Sequence, residues 1–266
     1  MSLDALSRPP ADAPTGARAD PVIVMAYTGA GADRLRPVLG TFPGLTCTTG
    51  TGIVPLCHHA VTAWQAVDGR GGGGLSPLGA ASARALSAGL VTAILARDGG
   101  SRWCEFTVAP PAAAGTFARL YPRTRFLVVH RRCDTAVRAI IDASRWGLAG
   151  PEFAPFVSAH PASSVAALAG YWVAHTTRQL DFEQAHRQSC LRVRVEDLTA
   201  DAERAVADIG GFLCLSAGSP GPIAGGGHGP DGAAGLPLDQ IPAPLLAQVN
   251  DLHRRLGYPP VNAAEA

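Results

Sequence analysis

Apolar positions along this chain fall into short unbroken runs that alternate with stretches of helical spacing. Val22-Ile23-Val24-Met25-Ala26 is wholly apolar, the pattern of a strand buried on both faces. It leads into Tyr27-Thr28-Gly29-Ala30-Gly31-Ala32-Asp33-Arg34-Leu35, a glycine-containing turn followed by Leu35, Val38 and Leu39 at helical spacing. A second helix is expected from about Pro55, because proline suits a first helical turn, and it carries His58 and His59. Gly71 to Gly74 is a break, and Ser76-Pro77 then reads as an N-cap and first helical position. The helix it opens carries Leu78, Leu86, Leu90, Ile94 and Leu95 and stops at Gly99-Gly100.

The same alternation continues. Trp103 to Val108 reads as a strand, Ala112 to Leu120 as a helix and Phe126-Leu127-Val128-Val129 as another buried strand. After His130-Arg131-Arg132-Cys133-Asp134 comes a helix through Ala136, Val137, Ile140 and Ile141. Ser164 to Ala185 predicts a long helix with Val165, Leu168, Trp172 and Leu180 on one stripe, which makes Trp172 and its neighbour His175 packing residues. Leu191 to Val195 alternates as a strand, Glu196-Asp197-Leu198 opens one more helix ending near Leu215, and a last helix runs from about Pro244 to Leu256 with Gly257 as its stop. Strands alternating with helices predict an α/β fold, a mainly parallel sheet flanked by helices, with ligands at the carboxyl ends of the strands.

At 266 residues the chain suits one such domain, over residues 21 to 258, after a disordered leader at 1–20 and before a short tail at 259–266. The Gly- and Pro-rich stretch 216–237 is a loop or a lid. A net charge of +1 gives no general pull toward nucleic acid. No apolar run approaches the roughly 18 residues of a spanning helix, so no membrane partner is expected, and a cytoplasmic protein is. Six cysteines stand singly without companion histidines, which implies reduced thiols and no metal site. The richness in Ala, Gly, Pro and Arg suggests a GC-rich coding sequence.

One compositional fact changes the chemistry. All of the formal Lys+Arg charge is arginine, for the chain has no lysine. Any mechanism that needs an ammonium group or a Schiff-base lysine is excluded, and an anion must be held by guanidinium forks, main-chain N–H groups or hydroxyls. The loop Thr28, Gly29, Ala30, Gly31, Ala32, Asp33 and Arg34 opens a helix after a buried strand, where N–H groups converge at the positive end of the helix dipole. It is no Walker A loop, and its glycines alone also fit a simple tight turn. Arg131 and Arg132 stand at the end of a second buried strand with Arg138 further along, placed either to grip a phosphate or to pair with Asp134 and Asp142. Glu105 is the first candidate general base, with His58 and His59 behind it.

In order and spacing these pieces resemble the sulfotransferase family, over roughly Val22 to Tyr258. They are the loop Tyr27 to Leu35, the strand and arginine segment Phe126 to Ser144, Arg192-Val193-Arg194-Val195-Glu196-Asp197-Leu198, the helix end Ile209 to Leu215, and the tail Leu256-Gly257-Tyr258. The resemblance implies a P-loop-like architecture and transfer of a sulfuryl group from phosphoadenosine phosphosulfate (PAPS) to a small-molecule hydroxyl or amine, as in bacterial natural-product biosynthesis. It places the donor's 5′ end on the Thr28 to Arg34 loop and its 3′-phosphate on Arg131, Arg132 and Arg138. Where the family has Lys or Arg followed by Ser in the first loop, this chain has Gly29 and Ala30; Arg34 can reach back from the next turn. The family's second serine falls on Arg138, and Cys104-Glu105-Phe106-Thr107 resembles the strand that carries the family's base, with the neighbouring lysine replaced by Phe106. Two alternatives stand beside this expectation: an enzyme on the same scaffold that has abandoned the sulfate donor, and a non-catalytic binding protein. A homodimer is left open.

Overall fold

The computed structural model describes residues 20–67, 77–108, 110–144, 147–148, 150–216 and 240–261. The leader, the Gly71–Gly74 break, Ser76 and the 217–237 part of the expected lid lie outside them. Five parallel strands form one sheet in the order β2-β3-β1-β4-β5: β1 Val22–Met25, β2 Leu45–Thr49, β3 Arg102–Thr107, β4 Arg125–His130 and β5 Cys190–Arg194. Val24 is in register with Phe106 on one side and Leu127 on the other. β1 is at most 2% exposed, as its unbroken apolar run predicts.

Side chains alternate between two cores. Val22, Val24, Leu127 and Val129 face α1 (Leu35–Leu39), α5 (Cys133–Ala143) and α10 (Ala243–Leu256). Ile23, Met25, Phe126 and Val128 face α2 (Ile53–Val67) and α4 (Pro111–Leu120). Helix α7 (Ser164–Ala185) serves both layers: Leu168 and Trp172 enter the first core and Phe182 the second. Its start is fixed by Ser163, whose hydroxyl accepts the Ala166 N–H at 3.1 Å.

Two elements escape the sequence pattern. Strand β2 is an edge strand of sequence LTCTT whose threonines hide its alternation, and α6 (Ala154–Ala159) is too short to show a period. Helix α2 begins at Ile53, and the segment after β5 divides into α8 (Val195–Ala200) and α9 (Ala202–Leu213), separated by Asp201, whose carboxylate accepts the Arg204 N–H at 3.0 Å. Helix α3 (Pro77–Asp98) corrects two expectations. It packs on Gly79, Ala80, Ala83 and Ser87, while Leu78, Leu86 and Leu90 are 51%, 55% and 45% exposed. Its best 18-residue window has a mean hydropathy of 1.5 and is 28% buried, so by length and composition alone it is apolar enough to cross a membrane. Leucine, valine, isoleucine and alanine, interrupted by Gly, Ser, Thr and Arg84, supply that apolarity without a contiguous run.

Behind the sheet, His253 of α10 is fully buried and uses both ring nitrogens. Nδ1–H donates to the Pro259 carbonyl at 2.8 Å, and Nε2 accepts the Cys133 N–H at 3.1 Å, which ties α10 to the start of α5. Burial lowers the pKa of His253 and of His130. A depressed folded-state value means that below about pH 6.5 the unfolded chain takes up protons the folded chain does not. Stability is therefore expected to be level above that pH and to decline from about pH 6.5 toward 5, read as a falling urea midpoint, with a shallower slope in His253→Gln. A midpoint that stays constant from pH 7 to 5 contradicts this.

Candidate functional site

At the carboxyl ends of β1 and β4 one loop is wedged between two helices. Gly29 and Gly31 take φ values of +91° and +74°, which glycine adopts without strain. The Ala30 N–H closes the turn on the Tyr27 carbonyl at 3.0 Å. A Cβ on Gly29 would lie 2.5 Å from Ile140 Cγ1 and 3.0 Å from the Ala136 carbonyl, so the loop backbone rests directly on α5. On its other side the Thr28 N–H donates to the Tyr171 hydroxyl of α7 at 3.1 Å.

Arg131 leaves β4 beside this loop. Its carbonyl accepts Trp172 Nε1–H at 2.9 Å and the Tyr27 hydroxyl at 3.4 Å, and its guanidinium, buried against the loop, donates from Nη1 to the Gly29 carbonyl at 3.4 Å. The next N–H, of Arg132, goes to Glu196 Oε1 at 2.9 Å, while the Tyr258 hydroxyl donates to Glu196 Oε2 at 2.8 Å. Glu196 and Tyr258 come from the strand-end and tail segments that carried the sequence resemblance; together they form a base plate under the arginine turn.

Between loop and turn lies a cavity of about 190 Å³. Thr28, Gly29 and Gly31 line it together with Asp33, Arg34, Arg131 and the α5 residues Ala139, Ile140, Ala143 and Ser144. Loop residues Ala30 and Ala32 are not among its lining, and Ala30 is fully buried. Arg132 does not line it either: its Nε and Nη2 grip Asp134 at 3.0 and 2.8 Å. Burial alone would raise the Asp134 carboxyl, but Arg132 outweighs it and holds that group below the usual range. Arg138 lies on α5 but outside the lining, where Ala139 and Ile140 stand. Of the expected cations, then, Arg34 and Arg131 meet at the cavity.

The expected bases sit elsewhere. Glu105, 1% exposed on β3, accepts the Thr51 N–H at 2.8 Å on Oε1 and the Thr48 hydroxyl on Oε2. Both oxygens thus brace the turn between β2 and α2, a place suited to a carboxylate because it faces a helix N-terminus. His58 joins α2 to α4 through Nδ1 and the Thr116 hydroxyl at 3.0 Å, and His59 is exposed. Closer to the loop stands His175 of α7, its ring 4.3 Å from that of Tyr171 and 6.1 Å from that of Tyr27. Burial, and then Arg178, hold its pKa below the ordinary value, so it is neutral at pH 7. The sequence signal for Tyr171 and His175 was their i, i+4 spacing, one polar tip above another on the face of a core helix. Among the described residues no three His, Cys, Asp or Glu side chains gather as a metal site requires.

No protein-family model matches the chain, and no curated protein matches it. Solved structures do. The sulfotransferase domain from the curacin biosynthetic pathway aligns with a TM-score of 0.60 at 10% identity, over 90% of this chain and 98% of that one. The sulfotransferase domain from the Synechococcus PCC 7002 olefin synthase aligns with a TM-score of 0.54 at 14% identity, over 90% and 96%. A sulfotransferase from Alicyclobacillus acidocaldarius gives 0.53 at 15% identity, again over 90% and 96%. This chain has the sulfotransferase fold. Within that fold, Tyr27, Glu196 and Tyr258, from three segments of the sequence resemblance, fasten the Arg131–Arg132 turn beside the cavity.

The fit of Gly29 against α5 makes a sharp test of this sulfotransferase-fold site. Gly29→Ala meets both a left-handed backbone and a 2.5 Å approach to Ile140, and is expected to destabilise the protein by about 2–4 kcal/mol. Chemical denaturation should show it, with the loss in Gly29→Ala/Ile140→Ala smaller than the sum of the two single losses; a Gly29→Ala loss under 0.5 kcal/mol, roughly that of an indifferent surface change, contradicts the packing described.

Proposed function

We propose that this chain transfers a sulfuryl group from PAPS to a hydroxyl or amine of a small molecule. One observation carries the reading: a cavity at the carboxyl ends of two buried parallel strands is lined by Arg34 and Arg131 and by glycines that leave the main chain bare. That donor set suits a phosphosulfate, since planar guanidinium forks match oxyanions and the loop precedes a helical turn. At about 190 Å³ the cavity takes the phosphosulfate end of such a donor rather than the whole nucleotide. Bound PAPS supplies the sulfuryl group, with the nucleotide phosphate as leaving group.

The chain's own residues then have distinct tasks. Arg131, whose main chain is held by Trp172 and Tyr27 and whose Nη1 donates to the Gly29 carbonyl, presents a guanidinium set in place before charge develops. Arg34 lines the cavity from the turn Ala32–Arg34 and takes the place of the loop cation that Gly29 does not provide. A donor held in this way contributes on the order of 10²–10³ in rate. His175 is assigned the acceptor's proton: it is neutral, half-buried beside Tyr171, and its ring makes no hydrogen bond among the described residues. Glu105, with both oxygens engaged, is left as a brace. Two of the compared structures are domains from a biosynthetic pathway and an olefin synthase, which supports a natural-product acceptor.

A second reading, a protein of this fold that no longer uses the sulfate donor, is favoured by the replacement of loop cation and serine by Gly29 and the fully buried Ala30. Calorimetric titration with adenosine 3′,5′-bisphosphate separates the two. The proposed function predicts micromolar binding that weakens at least tenfold, about 1.4 kcal/mol, in Arg34→Ala and in Arg131→Ala; no binding to the intact protein favours the second reading. With donor and a competent acceptor, His175→Gln should lower turnover by about 10²–10⁴ while leaving bisphosphate affinity unchanged. Unaltered turnover removes His175 from the mechanism.

A further inference from the structure

A second and larger cavity, of about 500 Å³, opens between the carboxyl-terminal half of α7, the start of β5 and the end of α10. It shares no lining residue with the cavity at the loop. Cys190 at its floor is in register with Phe126, five residues before Arg131 along β4, which sets the two about 16 Å apart along the sheet. The sulfuryl-transfer reading makes no use of it.

Charge distinguishes this groove. Three arginines, Arg187, Arg192 and Arg255, line it with a single acidic residue, Glu183. The carboxylate is already committed. Its Oε2 accepts Arg192 Nε–H and Nη2–H at 3.0 and 2.6 Å, and its Oε1 accepts Nε2–H of the fully buried His130 at 2.7 Å. Burial keeps that imidazole neutral, while His130 and Arg192 together offset the burial of Glu183 and hold it ionised. Arg192 also donates from Nη1 to the Arg255 carbonyl at 3.2 Å, which fixes the end of α10 against β5. Among the described residues neither Arg187 nor Arg255 has an acidic partner. The chain from buried His130 through Glu183 therefore holds the half-exposed Arg192 guanidinium in place, and two more arginines stand beside it with their charge unbalanced.

We propose that this groove binds a small organic phosphomonoester. Three cations and one carboxylate leave the lining at +2, which a phosphoryl group at about −1.5 to −2 balances and a singly charged sulfate ester or carboxylate does not. Guanidinium forks give the bidentate geometry that phosphate oxygens accept. Leu180 and the thiol of Cys190, whose pKa burial pushes up to about 12, supply an uncharged floor for the organic part. A volume of about 500 Å³ lies within the range of small-molecule sites.

The test uses the whole chain with phenyl phosphate and phenyl sulfate as probes, followed by calorimetry and by the arginine Nε–H resonances in NMR spectra. Phenyl phosphate is expected to bind at millimolar concentration or below and at least fivefold more tightly than phenyl sulfate. Its affinity should rise between pH 5 and 7.5, as the second phosphate proton leaves near pH 6. It should fall at least tenfold in Arg187→Gln/Arg255→Gln, shown to be folded by an unchanged urea midpoint, and stay unchanged in Arg34→Ala. Equal affinity for the two probes, undiminished binding in the double variant, or binding lost in Arg34→Ala would each overturn the proposal, the last by placing the probe in the loop cavity.

Discussion

The wedging of the Thr28–Gly31 loop between α5 and α7 is the constraint from which the rest of the site follows. β1 is buried on both faces and its direction is set by the parallel neighbours β3 and β4, so the chain has to reverse immediately after Tyr27. It can do so only with a left-handed residue at Gly29, and only with no side chain there, because Ile140 and the Ala136 carbonyl occupy that space. The tightness of this contact brings the loop carbonyl within reach of Arg131 and the Thr28 N–H onto Tyr171. Anion-binding groups are thereby placed by packing rather than by their own flexible stems.

The absence of lysine fits this arrangement. A flexible ammonium can seek an anion from a distance, whereas a guanidinium fork works best when its plane is already set. Here the Arg131 main chain is held by Trp172 and Tyr27 and its guanidinium by the Gly29 carbonyl, and the turn that follows is fastened by Glu196, Tyr258 and His253. The same device recurs across the sheet, where Glu183 and buried His130 fix Arg192. In both places a partly buried polar chain defines where a cation stands.

Much of the fold was legible because its signals are local. β1 and β4 were visible as unbroken apolar runs, α7 by its stripe and α10 by Gly257, which takes a φ of +77° at the helix end. β2 was hidden because an edge strand of threonines lacks a hydrophobic code, and the packing face of α3 was misread because Gly79, Ala80 and Ala83 bury more completely than its leucines. In the site, the loop and Arg131 could be placed from strand ends alone. Which of three arginines faces the cavity could not, since Asp134, two residues from Arg132, decides that by pairing. Glu105 likewise read as a base from its strand position; Thr48, from a strand the pattern did not reveal, and Thr51, in the turn after it, hold it as a brace.

The central claim is that the cavity between the loop and the arginine turn seats the phosphosulfate end of a nucleotide donor. A crystal structure of the protein soaked with adenosine 3′,5′-bisphosphate tests it most directly. The account predicts a phosphate of that compound lodged between Gly29, Arg34 and Arg131, with the loop unmoved. Nucleotide density located only elsewhere, or none at saturating concentration, would contradict it.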